Sequence, residues 1–77
     1  MAYWINQSGN KNRPNWRQFY CDADIDILSL PTSMTEGKKQ DVDTTAYKCC
    51  SVGSECLALE TMSVYVLNSS NIWSKLV

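Results

Sequence analysis

Apolar and polar residues alternate most clearly in the last third of the chain, from Gly53 to Val77. Between Glu55 and Glu60, Leu57 and Leu59 fall on one side of an extended chain and Cys56 and Ala58 on the other. Ser63 to Leu67 (Ser-Val-Tyr-Val-Leu) is apolar on both sides, and Ile72 to Leu76 follows after a turn cluster, Asn68 to Asn71. Asparagine tolerates the left-handed conformation that such turns need. Three short strands are predicted, with a first turn at Thr61-Met62 and a second at Asn68–Asn71.

Upstream, Trp16 to Cys21 is rich in strand formers and predicts another strand. Tyr3, Trp4 and Ile5 stand among polar neighbours, which fits either a short strand or an anchoring arm within residues 1–15. A short helix is predicted from Ala23 to Leu28, capped by Asp22, with Ile25 and Leu28 one turn apart on one face. Asp24 and Asp26 complement its dipole, and Pro31 stops it. Residues 32–48 carry no periodicity and read as a loop. The predicted fold is mainly β: a small antiparallel β-meander with one short helix after the second strand, in a single domain spanning residues 1–77.

A strand apolar on both faces needs cover on both sides. With 77 residues, the chain buries only about 60% of the surface it exposes when unfolded. Folds this small usually need a disulfide, a metal or oligomerisation. Assembly with other chains is therefore expected. The aromatic and apolar residues Trp4, Trp16, Tyr20, Tyr65, Val66 and Trp73 are the predicted interface, because Trp and Tyr are enriched at such surfaces. The reading expects Val66→Asp to weaken association more than Lys75→Ala.

Charge changes this picture little. Seven basic and eight acidic residues leave a net charge of −1, without the basic footprint of a nucleic-acid binder. No apolar run approaches the roughly 18 residues of a membrane span. The start, Met1 to Asn6, lacks the charged and long apolar regions of a secretory signal, so use without that export route is expected. The four cysteines, Cys21, Cys49, Cys50 and Cys56, are then expected as reduced thiols.

Candidate chemistry is sparse. The chain has no histidine, which removes the commonest general base and metal ligand, and no enzyme is predicted. Asp22, Asp24 and Asp26 have the spacing of a calcium loop's opening. However, Ile27 stands where that loop needs glycine, and Ser33 where it needs a bidentate glutamate. The cysteines lack the paired spacing of a structural zinc site. Gly37-Lys38-Lys39 lacks the rest of a phosphate loop. No cofactor and no metal are expected.

Two segments carry a family resemblance. Phe19 to Thr32 runs through an acidic turn into Ser29-Leu-Pro-Thr32, and Gly53 to Leu76 contains Ser63-Val-Tyr-Val-Leu-Asn-Ser-Ser70 followed by Trp73. Together they resemble short virion structural proteins of tailed bacteriophages and prophages of Gram-positive bacteria: head-fibre or capsid-decoration proteins, or tail parts. The resemblance covers about half the chain and implies no catalytic residue. It implies a chain made in the bacterial cytoplasm and located in the virion, self-associating, with a trimer favoured, and attached to a phage capsid or tail protein. The alternative is a small phage-encoded inhibitor that binds a host defence protein or enzyme.

Overall fold

The computed structural model describes residues 3–9, 11–39 and 47–76. It contains five strands: β1 (Tyr3–Ser8), β2 (Arg17–Cys21), β3 (Glu55–Ala58), β4 (Ser63–Leu67) and β5 (Trp73–Lys75). They form one sheet in the order β1-β2-β3-β4-β5. A short 3₁₀ helix, Asp24–Ser29, follows β2. The mainly β class, the short helix after the second strand and the closing antiparallel meander are as predicted. Residues 3–8 take the first of their two readings and form an edge strand.

One junction departs from a purely antiparallel sheet. β2 and β3 run parallel, with Phe19 opposite Cys56 and Cys21 opposite Ala58. A parallel pair cannot be joined by a hairpin, so residues 22–54 cross over from one end of the sheet to the other. The described parts of the crossover lie across one face and are tied to both flanks of the sheet. The Tyr3 hydroxyl donates to the Lys38 carbonyl, and the Trp73 indole N–H donates to the Pro31 carbonyl at 2.9 Å. The described parts of 32–48 hold no regular element but are pinned by backbone bonds such as Lys38 N–H to the Ser29 carbonyl (2.8 Å). The remainder of that loop, residues 40–46, lies outside the described residues.

The core lies between sheet and crossover. Tyr3, Phe19, Cys21, Cys56, Ala58 and Leu67 meet Ile27, Leu30 and Cys50 there. The small side chains on β3 leave room for aromatic rings from neighbouring strands. Phe19 stands edge-on to Tyr3 at 5.9 Å and to Trp73 at 6.1 Å, an arrangement favoured by ring quadrupoles.

Two local features correct the sequence reading of the helix. Asp22 is exposed and does not cap it; Ala23 occupies the cap position. Instead, the Asp26 carboxylate accepts from the Ala23 backbone N–H at 3.0 Å, while Asp26 N–H donates to the Ala23 carbonyl at 3.0 Å. With three residues per turn, Ile27 and Leu30 stack inward, and Ile25 and Leu28 stack outward. Asp26 is buried, and its Oδ1 has no hydrogen-bond partner among the described residues. Asp26→Ala is expected to cost about 1–2 kcal/mol by leaving the Ala23 N–H unpaired. A urea midpoint equal to that of the parent chain would remove this assignment.

The turns follow their chemistry. Asn71 takes a positive φ of 61° and closes the β4–β5 turn, and Asn68 Oδ1 accepts from Ser70 and Ile72 N–H. Met62, at φ 56°, closes a four-residue β3–β4 turn that begins at Leu59, two residues earlier than read from sequence. Gly53 enters β3 at φ 95°, a conformation that L side chains rarely adopt.

Candidate protein-binding surface

The crossover covers one face of the sheet. On the other face, strand register assembles a row from residues distant in sequence. Trp4 lies opposite Tyr20, Tyr20 opposite Leu57, and Leu57 opposite Val64. Leu76 continues the row beyond β5, its N–H donating to the Val64 carbonyl at 2.6 Å. With strands about 4.8 Å apart, the row is close to 20 Å long. Trp4 and Tyr20 meet edge-to-face at 5.9 Å.

The next row on this face is polar apart from one residue: Gln18, Glu55, Val66 and Ser74. Asn6 Nδ2 donates to Gln18 Oε1 at 2.9 Å beside it. Ile27, Leu30 and Cys50 of the crossover pack into the opposite face's core, whereas Trp4, Tyr20, Leu57, Val64 and Val66 on this face stay half-buried. The result is an apolar stripe with a polar margin.

The six predicted interface residues separate by strand phase. Trp4, Tyr20 and Val66 lie on the open face. Trp16 lies at the sheet's end, its indole N–H donating to the Gly53 carbonyl at 3.0 Å and its ring 5.7 Å from the Arg13 guanidinium. Tyr65 and Trp73 share the covered face and direct their polar atoms inward, to Asp24 and the Pro31 carbonyl. Leu57, Val64 and Leu76 are not among the six residues predicted from sequence. For Leu57 and Val64 the signal is strand phase, since both lie out of phase with Cys56, Ala58 and Leu67; Leu76 joins the row through its bond to Val64.

A second apolar surface flanks β5 on the covered side. The outward residues of the 3₁₀ helix, Ile25 (68% exposed) and Leu28 (85%), face Ile72 (60%) and Trp73 across an open groove of about 780 Å³. Thr35, Glu36, Lys38 and Asn71 form its polar rim. Ser33 binds the Asn71 side chain and joins the crossover to the β4–β5 turn beside it.

Electrostatics centre on Asp24. Its carboxylate accepts from the Thr61 hydroxyl at 2.5 Å and from the Tyr65 hydroxyl at 2.8 Å. The bond from Thr61 and then that from Tyr65 hold the Asp24 carboxyl below the usual carboxylate range, with Lys75 adding a favourable charge. Donation to Asp24 pushes the Tyr65 phenol up.

The unfolded chain therefore protonates Asp24 at higher pH than the folded one. This contribution to stability is complete above about pH 4 and is lost as pH falls through the lower folded value. The Tyr65 contribution is complete below about pH 10 and is lost as pH rises through the raised folded value. Tyr65→Phe should lower the urea midpoint at about pH 7 more than at a pH acid enough to protonate Asp24 in both states. Equal losses at both pH values would disconnect Tyr65 from this titration. Both groups are only half-buried and screened by solvent, so the difference is small.

The thiols are free, with Cys21, Cys50 and Cys56 buried and Cys49 half-buried. Among the described residues, no three histidine, cysteine or acidic side chains are grouped to hold a metal ion. No helix among them is long and apolar enough to cross a membrane. The chain matches no family model, no curated protein and no solved structure.

Proposed function

We propose that this chain is a small structural module of a phage particle that self-associates through its open sheet face and attaches to a larger capsid or tail protein. The observation that supports self-association is the in-register apolar row Trp4, Tyr20, Leu57 and Val64, half-buried within the single chain and continued by exposed Leu76. Burying it against a second copy removes aromatic and aliphatic surface from water, at roughly 25 cal/mol per Å² of apolar area. The Gln18, Glu55 and Ser74 margin sets orientation by hydrogen bonding. The groove beside β5 is a separate apolar surface, so self-association and attachment need not compete. Placement in a phage particle rests on the sequence resemblance of Phe19–Thr32 and Gly53–Leu76.

Light scattering on the chromatographed chain tests the first part. A discrete oligomer is the expected result, and a monomer at high micromolar concentration would end the self-association reading. Mass spectrometry of purified particles tests the second. The chain should be present in stoichiometric amount; its absence from particles, with one host protein co-purifying instead, would replace this reading by that of an inhibitor of a host protein.

A further inference from the structure

Two thiols with no part in either surface lie side by side in the core. Cys56 S–H donates to Cys21 Sγ at 3.4 Å, and Cys21 in turn donates to the Ala23 carbonyl at 3.4 Å. Both residues are fully buried. They stand on β2 and β3, the two parallel strands that the crossover 22–54 connects. We propose that Cys21 and Cys56 are a reversible redox pair that closes to an intrachain disulfide on reaction with a peroxide, clamping the β2–β3 junction.

The arrangement favours this pairing over the other thiols. Cys50 is occupied elsewhere, with its Sγ 3.6 Å from the Pro31 carbonyl, and burial pushes its thiol up. Within the pair, the proton held by Cys56 supports negative charge on Cys21, so the thiolate forms at Cys21. Asp26, whose unpartnered carboxylate oxygen lies in the same interior, opposes ionisation of both sulfurs. Reaction is therefore slow and passes through local opening of the crossover rather than through the closed core.

Chemically, the Cys21 thiolate attacks one oxygen of hydrogen peroxide. The O–O bond breaks, leaving a sulfenic acid on Cys21 and a hydroxide that leaves as water with the thiol's proton. The Cys56 sulfur then attacks the Cys21 sulfur, the S–O bond breaks, and the second hydroxide leaves as water with the Cys56 proton. Two thiols and one peroxide give one disulfide and two waters, with two electrons passing to the peroxide.

The pair is diagonal in the ladder, since Cys21 lies opposite Ala58 and Cys56 opposite Phe19. Diagonal neighbours stand about 7–8 Å apart at Cα, beyond the usual disulfide range of roughly 4.4–6.8 Å. Closure must slide the strands slightly, and the resulting bond is strained and readily reduced. This makes it a reversible device rather than a permanent staple.

The test treats the fully reduced chain with one equivalent of hydrogen peroxide. The expected product has lost the mass of two hydrogens and two of its four thiols. It yields a Cys21–Cys56 linked peptide on digestion without reductant, and dithiothreitol restores it. In Cys56→Ser, Cys21 should stop at the sulfenic acid and be trapped by a 1,3-dione. If that variant does not fold, the peptide map of the parent chain decides alone. Linkage through Cys49 or Cys50, or oxidation at Cys49 with Cys21 and Cys56 unchanged, would overturn the proposal.

Discussion

Phe19→Ala is expected to lower the melting temperature by about 15 °C or more, enough to leave much of the chain unfolded at body temperature. Phe19 is fully buried on β2, where its ring meets Tyr3 on one side and Trp73 on the other. Through these two ring contacts Phe19 joins β1, β2 and β5. The substitution removes a full aromatic side chain and leaves a cavity that neighbours tied by backbone ladders cannot fill. Such changes cost about 3–5 kcal/mol. At roughly 0.05–0.15 kcal/mol per residue, a chain of this length has about 4–12 kcal/mol in all. The loss therefore takes a large part of the whole. Thermal denaturation followed by circular dichroism at low concentration reads the effect without a contribution from self-association. A shift of only a few degrees would show that the aromatic column is not the centre of the core.

Leu57→Asp should have the opposite profile: a folded chain that no longer assembles. Leu57 sits mid-row on the open face, between Tyr20 and Val64, so the single chain does not bury it fully. In an oligomer joined through that face, the new carboxylate would be desolvated with no cation opposite it. An unpaired buried charge costs about 3 kcal/mol or more, which is at least a 100-fold weaker dissociation constant. Val66→Asp, one row away and closer to the polar margin, should weaken association less. Lys75→Ala should leave it nearly unchanged. Light scattering across a dilution series gives the constants, and circular dichroism verifies folding. If Leu57→Asp assembles like the parent chain, the open face is not the interface.

The two substitutions separate surfaces that look alike in sequence. Phe19, Tyr20 and Leu57 are all large apolar residues in strands, and composition does not distinguish them. Their roles differ only because β2 presents Phe19 to the crossover and Tyr20 away from it. The same phase rule divides the six predicted interface residues, leaving Tyr65 and Trp73 with inward hydrogen bonds and Trp4, Tyr20 and Val66 outward. The outward groove residues Ile25 and Leu28 were legible as a pair one turn apart, but not as a surface. An α-helix and a 3₁₀ helix both place such a pair on one side, and which side meets the core depends on what lies beneath.

By itself, the amino-acid sequence determined the local elements: the alternation that begins at Glu55, the two-sided apolar strand Ser63–Leu67, the left-handed turn at Asn71, the stop at Pro31 and the absence of histidine. These are properties of neighbouring residues, and backbone sterics and side-chain phase act over a few positions. Only the tertiary structure decided the parallel β2–β3 junction, the face that the crossover covers, the open apolar row and the meeting of Cys21 with Cys56. Each depends on segments separated by tens of residues, brought together by burial, which is non-directional and leaves no periodic mark on the chain.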